Sequence, residues 1–185
     1  MGDRVAILVD GNNIAHSSRR YGMIVDYGAL LSWAARGGPR HPDGSLVRGL
    51  SYAREVVAAR VYLGPSGSNG SGNGKRKNFM SLMQDLGFEV IVSAEEGNPS
   101  KTAVDRDITI DALLLAYNGQ VDRILLLSGD GGFTRLVKVL NGVGVQVEVC
   151  AFPNASKVLR QAARRFWDLT TIVGATMTKI RTDCT

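Results

Sequence analysis

The feature that most constrains this chain is a repeated alternation. Short apolar, β-branched runs stop abruptly at small polar or acidic residues, and helical periodicity follows each one. Val5–Val9 is continuously apolar and ends at Asp10, as in a parallel strand covered on both faces. Val56–Leu63, Phe88–Val92, Arg123–Ser128 and Val145–Val149 read as further strands. The polar Gln146 and Glu148 put the last of these nearer the sheet edge. Phe79, Leu82, Met83 and Leu86 fall at i, i+3, i+4 and i+7 on one helix face, and Phe133, Leu136, Val137 and Leu140 repeat that spacing. Asp26 is placed to cap a helix over Tyr27–Arg36, and Gly37-Gly38-Pro39 stops it. Residues 105–117 form a helix with Ile108, Ala112 and Leu115 on one face, residues 155–166 a basic helix, and Leu169–Val173 a closing strand. Strand and helix alternating over the whole length predict an α/β, three-layer fold with a mostly parallel central sheet.

One domain accounts for residues 1–174, and 175–185 form a C-terminal tail. Turn formers make residues 37–49 an exposed insertion. Residues 64–77 read as a flexible, Gly-rich basic loop, with five glycines between Gly64 and Gly74 followed by Lys75-Arg76-Lys77. Gly74-Lys75 imitates the end of a phosphate-binding loop. However, Arg76 stands where a Ser or Thr holds magnesium, and Asn69 replaces the leading glycine. No dinucleotide fingerprint follows the first strand.

Composition narrows the function. At 185 residues, 44% hydrophobic and 21% charged, the chain is globular rather than disordered. Its 22 Lys+Arg against 17 Asp+Glu favour a polyanionic partner. No apolar run approaches the ~20 residues that span a bilayer, and the N-terminal residues lead directly into a strand. Two cysteines, Cys150 and Cys184, make neither a disulfide framework nor a thiolate zinc site. The expectation is a reduced, cytoplasmic protein without a membrane partner.

The acids carry the chemistry. Strands of a parallel sheet end on one edge, where ligands bind. Val9-Asp10-Gly11-Asn12-Asn13 leaves that edge, as does Ser128-Gly129-Asp130-Gly131-Gly132. Between them Lys101-Thr102-Ala103-Val104-Asp105-Arg106-Asp107 leads into a helix that also carries Asp111. Asp10, Asp130 and at least one of Asp105, Asp107 and Asp111 therefore converge. Asp107 and Asp111 are i, i+4 neighbours, whereas Asp105 sits at the helix start; spacing alone does not choose among them. Each acid also has a plain structural reading, since capping is their usual work at such positions. Clustered carboxylates repel one another unless a cation joins them. An oxygen-only set (Asp10, Asp105, Asp107, Asp111, Asp130) selects Mg²⁺ or Mn²⁺ over zinc. With a hard cation, basic flanks and no nucleophilic pair, metal-assisted phosphodiester hydrolysis is the indicated reaction.

These residues resemble a family. Val-Asp-Gly-Asn-Asn after strand one, Lys101-x-x-Val-Asp105 with Asp111 six residues on, and Leu-Leu-Leu-Ser-Gly-Asp130-Gly-x-Phe133 are similar to the motifs of the NYN domain. That domain is the LabA-like branch of the PIN-like nuclease superfamily, and the likeness covers about residues 3–172. The resemblance implies a Rossmann-like PIN fold and a divalent-metal-dependent (endo)ribonuclease. It gives Asp10, Asp105, Asp111 and Asp130 the acidic-site role, Asn13 a positioning or substrate-binding role, and Ser128 a supporting one. One position departs from the pattern Ser-Gly-Asp-x-Asp-Phe: residue 132 is Gly. Losing that carboxylate weakens a second metal position, and Asp107 is a candidate to compensate.

RNA is the expected partner, single-stranded or with flexible regions. Lys101, Lys75, Arg76 and Lys77 are candidates for phosphate contact. Lys157, Arg160 and Arg164 share one helical face and form a second basic stripe, though a solvated face is the commoner fate of such charges. His16 has no partner in sequence and reads as a surface residue. The competing reading is a catalytically weak or inactive PIN-like RNA-binding module, with Gly132 marking a degenerate site. An aspartate-based phosphatase is disfavoured because Asn12 stands where its second acid belongs. The oligomeric state stays open, with a homodimer among the alternatives.

Overall fold

The computed structural model describes residues 3–36, 54–65, 73–93, 103–172 and 178–179. The expected insertion at 37–49, most of the glycine-rich run, Lys101 and Cys184 lie outside them.

The predicted α/β architecture is present. Six strands form one all-parallel sheet: β1 (Asp3–Asp10), β3 (Arg54–Leu63), β4 (Glu89–Val92), β5 (Arg123–Leu127), β6 (Gln146–Ala151) and β7 (Arg165–Asp168). Their order is β4-β3-β1-β5-β6-β7. A two-residue strand β2 (Met23–Ile24) pairs antiparallel with β8 (Thr178–Lys179), a ribbon with no sequence signal of its own.

The apolar runs of β1 and β5 are buried because helices cover both sheet faces. Val5, Ile7 and Val9 pack under α1 (Gly11–Arg20), α2 (Tyr27–Ala35) and α3 (Asn73–Asp85), together with Leu125 and Leu127. Ala6 and Leu8 point oppositely, onto α4 (Val104–Tyr117), α5 (Thr134–Gly142) and α6 (Lys157–Ala162), together with Ile124, Leu126 and Val149. The period-two alternation of strand side chains thus divides one continuous apolar run between two cores. Gly11 is required where α1 crosses β3: a Cβ there would lie 2.5 Å from Leu63 Cδ2 and 3.0 Å from the Tyr62 carbonyl. Trp33 and Trp167 meet edge-to-face at 5.2 Å in the first core.

Four expectations change. Lys75-Arg76-Lys77 belong to α3, which starts at Asn73, rather than to a loop. The basic helix is shorter than 155–166, ending at Ala162. Ala163 is extended, and Arg165–Asp168 is the strand. Leu169–Ile172 is then a helical turn, α7, instead of the closing strand. Finally, β6 does lie near the edge, next to the edge strand β7, but that is not why Glu148 is polar: it is only 1% exposed. Its polarity marks a buried ion centre. Glu148 accepts from Arg54 at 2.9 Å, Arg123 at 2.6 Å and the Trp167 indole N–H at 2.7 Å. Two guanidinium groups from separate strands neutralise one carboxylate, which makes its burial tolerable. Burial lowers the Arg54 pKa, against the opposing pull of Glu148.

Candidate active site

A parallel sheet opens a crevice where its order of growth reverses, because loops leaving the two adjacent strands run to opposite faces. In this chain that place lies between β1 and β5. After β1 the chain enters α1 on one face; after β5 it enters a 3₁₀ turn (Gly131–Phe133) and α5 on the other. Asp10 and Ser128-Gly129-Asp130 stand on the two lips.

The lips are stitched together. Asp10 is 4% exposed and caps α1, accepting from the Asn13 N–H at 3.0 Å through Oδ1. Its Oδ2 accepts from the Ser128 hydroxyl at 3.1 Å. Ser128 Oγ in turn accepts the Asp130 N–H at 3.2 Å. Asn13 Oδ1 accepts the Gly129 N–H at 2.9 Å. Asp130 Oδ1 takes the Gly132 N–H at 2.8 Å, the capping role open to it from sequence. The Ser156 N–H bonds to the Gly129 carbonyl at 3.0 Å, so the start of α6 holds the same loop from behind. Asn13 and Ser128 therefore do positional work, fixing the β5 loop against β1.

The middle group of acids divides. Asp105, at the start of α4, makes no capping bond. It is the member whose charge reaches Asp10 and Asp130. Burial pushes the Asp10 carboxyl above its ordinary value, the bonds from Asn13 and Ser128 pull it down, and Asp105 and Asp130 push it up again, with a net rise. Asp105 is raised too, by burial and by Asp130. Asp111 instead turns to β3. Its Oδ2 accepts from the Tyr62 hydroxyl at 2.6 Å and pairs with Arg60 at 3.0 Å. Asp107 is i−4 from Asp111, pairs with Arg106 at 3.1 Å, and lines the same small cleft as Arg60 and Glu89. The expected five-acid cluster is thus two groups: Asp10, Asp105 and Asp130 at the crevice, and Asp107 with Asp111 beside Arg60. Tyr62 and Arg60 were not singled out from sequence, although their i, i+2 spacing near a strand end puts both on one face.

The basic candidates also separate. Lys75 and Lys77 are exposed on the first turns of α3, and Arg76 donates to the Gly64 carbonyl at 2.6 Å. Arg160 lies over the Phe166 ring at 4.1 Å. Arg164 lies beyond the end of α6, so the predicted stripe through 157, 160 and 164 is broken. His16 is exposed.

The sequence profile of the NYN domain matches residues 4–170. The chain belongs to the NYN domain family. Among curated proteins it is 25% identical to the Low amplitude and bright protein LabA of Synechococcus elongatus, over 91% of this chain and 85% of that one. Among solved structures, a protein of unknown function from Vibrio parahaemolyticus superposes with a TM-score of 0.69 at 26% identity. That match covers 90% of this chain and 93% of the other. No helix among the described residues is long and apolar enough to cross a membrane.

As they stand, no three acids among the described residues are close enough to form a ready-made ion site in this NYN domain. The donor chemistry nevertheless suits a hard cation: the convergent groups are oxygen-only, and Asp10 and Asp105 are held partly desolvated beside like charge. At Gly132 a Cβ would meet only Asp130, whose Oδ1 at 3.3 Å would have to give by a few tenths of an ångström.

Proposed function

We propose that the chain is a divalent-metal-dependent ribonuclease whose working acids are Asp10, Asp105 and Asp130. The observation that carries this reading is the convergence of Asp10 and the Ser128-bridged Asp130 loop at the β1/β5 crevice, where burial raises both Asp10 and Asp105 and the Asp130 charge adds to each. Partly buried carboxylates that feel one another's charge gain free energy when a cation draws them together. Membership of the NYN family supports a nuclease role on RNA.

Asp10, Asp105 and Asp130 would hold Mg²⁺ or Mn²⁺. The ion, when bound, supplies positive charge at the scissile phosphate and makes a neighbouring water more acidic. Ser128 and Asn13 keep Asp10 and the 129–132 loop in register, so the carboxylates need little reorganisation. Asp111, held by Tyr62 and Arg60, acts at a distance as a support for β3 and α4. Lys75 and Lys77, and Lys101 outside the described residues, are the proposed phosphate contacts. Arg160 and Arg164 are left as weaker candidates by their separation.

The test is cleavage of labelled RNA with Mn²⁺ by the wild type and by Asp10→Asn/Asp130→Asn. The double variant should lose cleavage; equal cleavage by both proteins removes the assignment. A second reading rests on Gly132: an RNA-binding module with little turnover. It predicts salt-sensitive RNA binding and no cleavage in either metal.

A further inference from the structure

Beside the crevice, on the α1/α2/α3 face, lies a groove of about 660 Å³. Of the residues given a role above, it shares only the Lys75-Arg76 edge of α3; its apolar walls have no role in the cleavage chemistry. That volume is within the range of small-molecule sites, roughly 300–1,000 Å³. Its walls are apolar: Ala15 of α1, Met23 of β2, and Phe79 and Leu82 of α3. Leu82, on the same helix as the core residues Met83 and Phe79, is 51% exposed. Phe79 is fixed by an edge-to-face contact with the buried Tyr27 ring at 5.7 Å, which presents an immobile aromatic surface. The rim is cationic. Arg19, Lys75 and Arg76 line it, and no acid does among the described residues. Arg19 and Lys75 form no ion pair with a described acid. Gly11 and Asn12, the two residues that follow Asp10, also line the groove and set it beside the crevice.

An apolar slot with an aromatic wall and a cationic rim, lined in part by the residues next to Asp10, matches one chemistry. A nucleobase is a flat, mostly apolar group that stacks on aromatic and aliphatic walls, and its own phosphates must stay near positive charge. We infer that this groove is a base-binding subsite of the enzyme: one nucleobase of a single-stranded RNA enters against Phe79 and Leu82 while Arg19, Lys75 and Arg76 hold the flanking phosphates. This rests on the nuclease reading for the position of the scissile bond. Arg76 is pre-oriented by its bond to the Gly64 carbonyl, which leaves its other donors for a phosphate. The subsite explains how a chain with few aromatic residues can grip a flexible strand without a stacking platform on its sheet.

The assay is fluorescence anisotropy in EDTA, with a labelled short oligouridylate and an abasic oligomer carrying the same number of phosphates. The wild type should bind the oligouridylate about tenfold tighter than the abasic oligomer, the scale of one stacked base. Ala15→Phe, which plugs the groove, and Leu82→Ser, at a half-exposed position with little role in folding, should each abolish that margin and leave abasic binding unchanged. Lys75→Glu should weaken both ligands together. Equal wild-type affinity for the two oligomers, or an undiminished margin in both groove variants, overturns the subsite and returns the groove to other apolar ligands such as a peptide. Because binding is read without metal, the two readings fail separately. Cleavage without a base margin removes the groove and leaves the nuclease; a base margin without cleavage in either metal removes the nuclease and leaves the groove.

Discussion

Replacing Asp10 by Asn should make the metal-free protein more stable while removing its activity. Asp10 is buried, and its carboxylate carries both a desolvation penalty and the repulsion of Asp105 and Asp130. The amide keeps the geometry. Its oxygen still accepts the Asn13 N–H, and its NH₂ can donate to Ser128 Oγ once that hydroxyl rotates away. One buried donor is disturbed: the Ser128 hydroxyl loses Asp10 as its acceptor, a cost that offsets part of the gain from removing the charge. The net effect at about pH 7.5 should be a rise in Tm, each ~1 kcal/mol gained moving Tm by roughly 2–4 °C for a chain of this size. Its pH dependence has a fixed sign. The folded protein keeps the Asp10 proton to higher pH than the unfolded chain does, whose ordinary value is near 3.8. The penalty on the wild type is therefore absent below the unfolded value, grows as pH rises through the folded value, and is complete above it. Thermal melts of both proteins in EDTA should show the variant ahead at about pH 7.5 and the curves converging near pH 4. Mn²⁺ should reverse the order by stabilising only the wild type. A lower Tm for Asp10→Asn at neutral pH, or an advantage undiminished by acid, would refute the electrostatic account of this site.

Glu148→Gln should cost about 3–5 kcal/mol by leaving Arg54 and Arg123 buried against a neutral group; urea denaturation measures it, and a loss under about 1 kcal/mol contradicts the ion centre. Asp111→Asn should reduce Mn²⁺-dependent cleavage less than about tenfold, against a hundredfold or more for Asp10→Asn. Comparable losses for the two would return Asp111 to the cation. Gly132→Asp, which the Asp130 side chain must shift slightly to admit, should raise apparent Mn²⁺ affinity about tenfold in a melting titration; an unchanged titration shows that an acid at 132 does not reach the site.

Local patterns carried much of the fold. The caps at Asp10, Asp26 and Asp130 are each made by the carboxylate that the sequence indicated, because a cap is settled within three residues. The apolar run of β1 announced a strand buried on both faces, β5 was legible as a strand, and helical spacing located α3, α4 and α5. Local pattern failed where a distant partner decides. Charge on Glu148 resembled edge exposure, because nothing nearby reveals that Arg54, 94 residues away, comes to meet it. Residues 155–166 were read as one helix, yet pairing with β6 pulls Arg165–Asp168 into a strand.

The acids show the same division. Sequence alone determined that Asp10 and Asp130 end strands of one parallel sheet, and so share an edge. Only the tertiary structure decided that β1 and β5 are neighbours at the point where the sheet reverses, and that Ser128 bridges the two carboxylates' loops. It also decided the rotation of α4 about its own axis, which sends Asp105 to the crevice and Asp111 to Arg60 and Tyr62. Spacing fixes which residues of a helix share a face; packing against the sheet fixes where that face points.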